Sequence, residues 1–134
     1  MWLVKTEPGE FSYADLEGDG EAVWDGVSNP AALANLRAMR VGDQVLVYHT
    51  GAEKAVVGIA EVARDAYPDP RRRNERLVVV ELKPRQRLAR PVTLAQIKAS
   101  AVFEDSPLVR QGRLSVVPIS AEQWKEIDLL ARSR

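Results

Sequence analysis

The stretch QVLVYHTGAEKAVVGIAEVA, residues 44–63, decides the fold. Its first part, residues 44–49, is rich in β-branched and aromatic residues and has no helical period, which predicts a strand. A polar connector over residues 51–54 separates this strand from a second apolar run over residues 55–63. Two such strands joined by a short connector favour an antiparallel hairpin. Gly58 in the second strand predicts a bulge or a close backbone approach.

Three further strands are predicted on the two sides of this hairpin. Each combines β-branched or alternating apolar residues with flanking turn-forming residues. Residues 83–90 are basic and contain a proline, so we interpret them as a connection between elements. The expected strands are residues 2–5, 77–82 and 113–119.

Capping signals predict the helices. Asn29 followed by Pro30 predicts a helix over residues 30–39, because Asn is a good cap and Pro suits the first helical position. A C-terminal helix is expected to place Trp124 in the core. The spacing typical of a capping box occurs three times, at Ser12 and Asp15, at Thr93 and Gln96, and at Ser120 and Gln123.

The composition bounds the class of protein. The chain has 134 residues, of which 46% are hydrophobic and 28% charged, so we expect one domain over residues 1–134. Short helices, no strict βαβ alternation and five or six mostly antiparallel strands predict an α+β fold around a curled sheet or barrel. No apolar run is long enough to span a membrane and no secretory signal is recognisable, which favours a cytoplasmic protein.

The absence of cysteine limits the chemistry. With no cysteine and one histidine, His49, the chain can form neither a disulfide nor a zinc site of the usual nitrogen and sulfur ligands. We therefore expect no metal and no cofactor, with a magnesium site built from carboxylates as the alternative that these residue counts leave open.

Opposite charges are segregated along the chain although the formal net charge is zero. A zero sum argues against binding that depends chiefly on neutralising many phosphates. Residues 1–25 hold seven acids and one base, whereas residues 64–90 hold nine bases and four acids. This pattern suits a local basic track, or the packing of two copies in a weak homo-oligomer.

The stretch VWDGVSNP, residues 23–30, is typical of a site. It joins an aromatic side chain, a carboxylate, a flexible glycine and a helix start within eight residues. Unpaired N–H groups in the first helical turn are available to a ligand carbonyl or phosphate. The alternative is that Trp24 is a core residue and Asn29 only a helix cap.

Six motifs then point to a family. They are WLVKTEP at 2–8, WDGVSN at 24–29, Gly42-Asp43 with Tyr48-His49, GIAEV at 58–62, YPD at 67–69, and RLSV at 113–116. In this order, and over nearly the whole chain, the sequence resembles the EVE domain, a member of the PUA-like superfamily to which the YTH and ASCH domains also belong. The resemblance implies a pseudobarrel and a nucleic-acid-binding module whose aromatic pocket accepts a modified base turned out of its strand. The polymer, DNA or RNA, stays open.

The sequence also departs from the family's pattern. Ser28 stands where the family usually has arginine, and Pro30 where it has an aromatic residue. The family's segment after YPD is often much longer, whereas here Arg71–Arg73 follow almost at once.

The resemblance and the residue types assign candidate roles. Trp24 is predicted to be a stacking wall, and Asn29 to address the base edge. For His49 the alternative is a structural histidine, for Lys5 a surface ion pair with Glu7, and for the basic loop simple solvation. The predicted base-pocket residues are Lys5, Thr6, Trp24, Val27, Ser28, Asn29, Tyr48, His49 and Ser115, and the predicted backbone-binding residues are Arg71, Arg72, Arg73 and Arg113.

Two other functions compete with base recognition. ASCH relatives include nucleoside amidohydrolases that use lysine, threonine and glutamate, and Lys5, Thr6 and Glu7 offer those types. Adjacent strand residues point to opposite faces, so one pocket holding all three requires a bend or another glutamate, such as Glu61. We therefore assign no catalytic residue. The other alternative is a protein-interaction module that uses the opposed charge patches.

Overall fold

A curled sheet of six strands organises the chain, and the computed structural model describes residues 1–132. The strands are β1 Trp2–Thr6, β2 Ala22–Trp24, β3 Gln44–His49, β4 Ala55–Pro68, β5 Val78–Thr93 and β6 Val116–Pro118. The helices are α1 Tyr13–Asp19, α2 Pro30–Ala38, α3 Leu94–Lys98, α4 Pro107–Arg110 and α5 Ala121–Arg132, with a 3-10 turn at Ala101–Phe103.

The strand order in the sheet is β2-β5-β4-β3-β1-β6. Neighbouring strands are antiparallel except β1 and β3, which are parallel with Leu3 opposite Leu46. The predicted α+β class, with six mostly antiparallel strands in a PUA-like pseudobarrel and short helices beside them, is confirmed.

The predicted hairpin is β3 and β4, and the expected irregularity at Gly58 is present. The pairing of β4 with both neighbours shifts between Val56 and Gly58. A Cβ atom on Gly58 would lie 2.4 Å from the ring of Tyr13, and the Tyr13 hydroxyl donates a hydrogen bond to the Ile59 carbonyl at 2.7 Å. The group that approaches Gly58 is thus an aromatic ring of α1.

The prediction of a connection over residues 83–90 is wrong, because β5 runs through them to Thr93. Pro84 lies opposite Ala60, next to a shift in the β4–β5 register. A ladder that is irregular at this point tolerates a residue without an N–H donor. The short edge strand β2, which pairs with β5, was not expected.

The predicted caps are present. Reciprocal hydrogen bonds join Ser12 to Asp15 and Thr93 to Gln96, as well as Ser120 to Gln123. Trp124 is half-buried at the edge of the core, rather than inside it.

Some of the segregated charges meet within one molecule. Glu17 of the acidic segment lies 2.7 Å from the Arg87 guanidinium, and Glu61 lies within 4 Å of Lys83 and Arg85. Self-association through opposed patches stays a prediction. Across residues 1–132, no helix has the length and apolar character to cross a membrane, and no cluster of three or more His, Asp or Glu residues suits a metal ion.

Candidate functional site

Two cavities share Lys5. The first, here called the Trp24 cavity, has a volume of about 380 Å³ and is lined by residues 5–7, 10, 11, 23–27 and 115. The second, the lysine cavity, has a volume of about 220 Å³ and is lined by residues 5, 48, 50, 51, 54, 94, 98, 108, 109 and 112.

The Trp24 cavity forms where β1 ends. The Glu7 carbonyl accepts hydrogen bonds from the N–H groups of Glu10 and Phe11 at 3.0 and 2.9 Å, which closes a turn just after Thr6. The Thr6 hydroxyl donates to the Phe11 carbonyl at 2.6 Å and fixes the turn. Because the chain leaves the strand here, Lys5, Thr6 and Glu7 all line one cavity.

Lys5, Thr6 and Glu7 can share one pocket only if the chain bends or another glutamate replaces Glu7. The turn after Thr6 is such a bend. Glu61, the other glutamate considered, is not a lining residue of the Trp24 cavity and pairs with Lys83 and Arg85 instead.

Two aromatic side chains form one part of the Trp24 cavity. Trp24 ends β2 and is only 7% exposed, whereas Phe11 is half-buried. Their ring centroids lie 5.9 Å apart at an angle of 82°, an edge-to-face arrangement that stabilises an aromatic pair by about 0.5–1.5 kcal/mol. Sequence reasoning missed Phe11. The available signal was an aromatic residue in the turn that follows the Lys5-Thr6 strand end.

Three carboxylates also line the Trp24 cavity, those of Glu7, Glu10 and Asp25. The Lys5 side chain contributes an ammonium group. Within residues 1–132 none of the three carboxylates forms an ion pair. Unpaired carboxylates accept hydrogen bonds and repel anions, so this cavity suits a neutral group with N–H donors.

The loop after β4 holds one wall of the Trp24 cavity in place. Asp69, 6% exposed, accepts hydrogen bonds from the Arg71 N–H at 2.9 Å and from Arg72 Nε at 2.8 Å. Arg72 Nη2 in turn donates to the carbonyl of the lining residue Val27 at 3.1 Å. The Arg71 N–H, followed by the Arg72 side chain, holds the pKa of Asp69 below its usual value.

The predicted backbone-binding arginines therefore differ in their surroundings. Arg72 uses its guanidinium within the protein, whereas Arg71, Arg73 and Arg113 have exposed side chains.

Four predicted base-pocket residues lie outside the Trp24 cavity. Ser28 and Asn29 are exposed, and the Asn29 side chain caps α2 by accepting from the Ala32 N–H at 3.0 Å. His49 lines neither cavity, and Tyr48 lines the lysine cavity. The structure brings together the other five: Lys5, Thr6, Trp24, Val27 and Ser115.

His49 has two partners inside the protein. Its Nε2 accepts a hydrogen bond from the Tyr13 N–H at 3.0 Å, which leaves the ring proton on Nδ1, 2.6 Å from the carboxylate of Glu53. Both ring nitrogens are satisfied, so the structure supports the alternative of a structural histidine.

The lysine cavity lies against β1 and β3. Lys5 Nζ donates to the Gly112 carbonyl at 2.9 Å and lies 5.8 Å from the centroid of the Tyr48 ring, within cation–π range. Burial lowers the pKa of Lys5 and raises the pKa of Tyr48. The lysine cavity thus contains a partly desolvated ammonium group.

The sequence matches the EVE domain over residues 1–129. Thymocyte nuclear protein 1 of Gallus gallus is 27% identical over 92% of this chain, which spans 65% of that protein's length. A Rhodopseudomonas palustris protein solved by NMR is 41% identical, with a TM-score of 0.91 over 97% of this chain and 91% of that chain.

Human THYN1, crystallised in complex with DNA containing 5-methylcytosine, has the same fold. Its TM-score is 0.91 over 99% of this chain and 98% of that one, at 24% identity. Since the family match spans nearly all of the sequence, this chain belongs to the EVE domain family.

Proposed function

We propose that this protein binds a nucleic-acid strand by taking one modified base, a modified cytosine, into the Trp24 cavity. The observation that carries the proposal is that two aromatic rings line the same cavity as three carboxylates, none of which forms an ion pair within residues 1–132. Its volume of about 380 Å³ lies in the range of about 300–1,000 Å³ that is usual for small-molecule sites. A single base with part of its sugar suits this space.

The carboxylates favour a base that presents an amino group. Cytosine carries a donor at N4, which Asp and Glu side chains accept, whereas thymine carries an acceptor at the equivalent position. Human THYN1 binds DNA that contains 5-methylcytosine, which supports the same class of ligand for this member of the family.

The energies of base stacking and base extrusion indicate whether the protein prefers single-stranded or paired nucleic acid. Stacking on an aromatic ring contributes about 1–3 kcal/mol, and extruding a base from a duplex costs a few kcal/mol. These terms nearly cancel, so the cavity favours single-stranded or weakly paired sites. The half-buried Phe11 offers more ring surface for stacking than Trp24, which supports it from the core.

Short oligomers with one cytosine, 5-methylcytosine or thymine test the proposal, as single-stranded DNA, duplex DNA and RNA. We expect 5-methylcytosine to bind most tightly, and Phe11→Leu to weaken binding about 5- to 150-fold through lost stacking. Trp124→Leu, which removes a half-buried ring outside the Trp24 cavity, is the control. Equal binding of all three bases by the wild-type protein, with no change in Phe11→Leu, would overturn the proposal. RNA as the polymer and a cytoplasmic location stay predictions.

One observation favours a second candidate, hydrolysis of an N4-acylated cytidine. Lys5, Thr6 and Glu7, the residue types used by ASCH-like amidohydrolases, line one cavity. Release of acetate from N4-acetylcytidine, lost in Lys5→Ala with the fold retained, would support this activity. Absence of turnover by the wild-type protein would contradict it.

A further inference from the structure

The lysine cavity has a charge opposite to that of the Trp24 cavity. Lys5, Lys54 and Lys98 line it, and no carboxylate does. Within the described chain, residues 1–132, none of these three lysines has a carboxylate within ion-pair distance. Glu7, which lines the Trp24 cavity, comes close to Gly51, where an added Cβ would lie 3.4 Å from its Oε1. Three ammonium groups that form no ion pair among residues 1–132 favour an anionic ligand, although the Glu7 carboxylate lies nearby.

Lys5 offers hydrogen-bond donors at the boundary of the two cavities. An ammonium group has three N–H donors, and the Gly112 carbonyl takes one of those of Lys5. The side chain is half-buried, and its pKa is lowered by desolvation. An anion at this point would compensate a charge that the protein leaves unpaired.

A backbone hydrogen bond joins the two segments that carry Lys54 and Lys98. Lys54 has a φ of +46°, the one non-glycine residue in the left-handed region among residues 1–132. Its carbonyl accepts the N–H of Leu94 at 2.8 Å, which fixes the start of α3, and Lys98 is the last residue of that helix. The wall that carries the two lysines is therefore held in place by the backbone.

The size of the lysine cavity limits the ligand. Its volume of about 220 Å³ is below the usual lower limit of about 300 Å³ for drug-sized ligands. This volume accommodates a phosphate group, and the three ammonium groups favour a phosphate over a neutral second base. Because Lys5 also lines the Trp24 cavity, a phosphate here would lie next to a nucleotide bound there.

We propose that the lysine cavity binds a phosphate group of the strand whose modified base occupies the Trp24 cavity. This inference rests on the proposed function. Phosphate contacts carry no base information, so this site adds affinity equally for modified and unmodified strands. Base selection then depends on the Trp24 cavity alone.

The test compares Lys54→Gln and Lys98→Gln with Lys125→Gln, an exposed lysine of α5 outside both cavities. Dissociation constants are measured for cytosine and 5-methylcytosine single strands over a range of salt concentrations. We expect each cavity variant to weaken both strands by the same factor, and to reduce the salt slope by about 0.7 for one lost phosphate contact. Lys125→Gln should leave both quantities unchanged.

A second measurement separates this inference from the proposed function. Inorganic phosphate is titrated into the wild-type protein and into the Lys54→Gln/Lys98→Gln double variant, and amide NMR shifts are followed at Gly51 and Gly112. Shifts in the wild-type protein alone support an anion site. If the oligomers bind base-selectively but these shifts are absent and the salt slopes are unchanged, the phosphate site in the lysine cavity is wrong. The proposed function is then unaffected. Phosphate shifts without oligomer binding overturn the strand assignment and the proposed function together.

Discussion

The Trp24 cavity and the lysine cavity share Lys5, and they differ most in the charge of the other side chains that line them. Three carboxylates and two aromatic rings line the first, whereas three ammonium groups line the second. A phosphate is repelled by the first set of charges and attracted by the second, and a base edge with N–H donors shows the opposite preference. In the proposed complex, this contrast in charge adds to aromatic stacking and orients the nucleotide, with its base on one side of Lys5 and its phosphate on the other.

The cavities also differ in how deeply some of their lining residues are buried. Trp24 and Val27 are 7% and 8% exposed and belong to the hydrophobic core, whereas Lys54 and Lys98 are exposed. Changes at Trp24 or Val27 should therefore affect folding and binding together. Changes at Lys54 or Lys98 should affect binding alone.

The largest expected effect is the loss of stability on removing Trp24, the buried aromatic residue of the Trp24 cavity. Trp24→Ala should lower the free energy of unfolding by about 3–5 kcal/mol, since it removes a buried aromatic residue and the edge contact with Phe11. Lys98→Gln, in the lysine cavity, should stay within about 0.5 kcal/mol of the wild-type protein. Urea unfolding measures both. A Trp24→Ala loss no greater than that of Lys98→Gln would show that the ring is not part of the core.

A smaller loss is expected at Asp69, which acts on the Trp24 cavity through Arg72 and Val27. The folded-state pKa of Asp69 is lowered, so its contribution to stability is complete above the unfolded value of about 3.9 and disappears as the pH falls through the folded value. Asp69→Asn should therefore destabilise the protein at pH 7, and the difference from wild type should shrink below pH 4.

Urea midpoints at pH 7, 5 and 3 check this pH dependence. Asp105→Asn is the control, because the Asp105 side chain is 94% exposed and its pairing with Arg110 is long, at 3.4 Å. A wild-type to Asp69→Asn difference that grows toward pH 3 would contradict the assignment. Asp69→Asn should also weaken base binding in the Trp24 cavity while phosphate-induced shifts in the lysine cavity persist.

Local signals in the sequence predicted much of the fold. The capping box at Ser12 and the irregularity at Gly58 depend on residues near each other in the chain or on one residue's missing side chain. The strand through residues 83–90 was missed because its pairing with β4 outweighs the local signal of Pro84. A tertiary contact of this kind leaves no trace in local composition.

The candidate site was predictable only in part, for a geometric reason. Asn29 is close to Trp24 in sequence, but α2 begins there and its side chain caps the helix. Tyr48 lies opposite Lys5 in the parallel pair β1–β3, and it shares the lysine cavity with Lys5. Phe11 enters the Trp24 cavity through the turn after β1, which Pro8-Gly9 predicts, but those residues do not indicate which cavity the Phe11 ring lines.

The carboxylates provide a sharper test of the contrast in charge. 5-Methylcytosine and thymine carry the same methyl group but differ in their hydrogen-bonding groups at position 4 and at N3, so their affinity ratio measures hydrogen bonding at the base edge with the methyl held constant. We expect the wild-type protein to prefer 5-methylcytosine about 5- to 150-fold, the effect of about 1–3 kcal/mol for a good base-edge contact.

Glu7→Gln, Glu10→Gln and Asp25→Asn should reduce this preference, because an amide can donate to the thymine O4 as well as accept. Lys98→Gln, the control from the lysine cavity, should leave the ratio unchanged. If all three amide variants keep the wild-type ratio, the carboxylates do not contact the base edge.

The smallest expected effect concerns the methyl group itself. Burying one methyl contributes about 0.8 kcal/mol, so 5-methylcytosine should bind about fourfold more tightly than cytosine. Val23, an exposed apolar side chain of β2 that lines the Trp24 cavity, offers a contact for that methyl. Val23→Thr keeps the shape but replaces one methyl with a hydroxyl, and should bring the ratio toward one, whereas Lys54→Gln should not change it. Parallel titrations of the two strands measure the ratio. A wild-type preference far above fourfold would mean that polar groups, left unpaired by plain cytosine, discriminate in place of methyl burial.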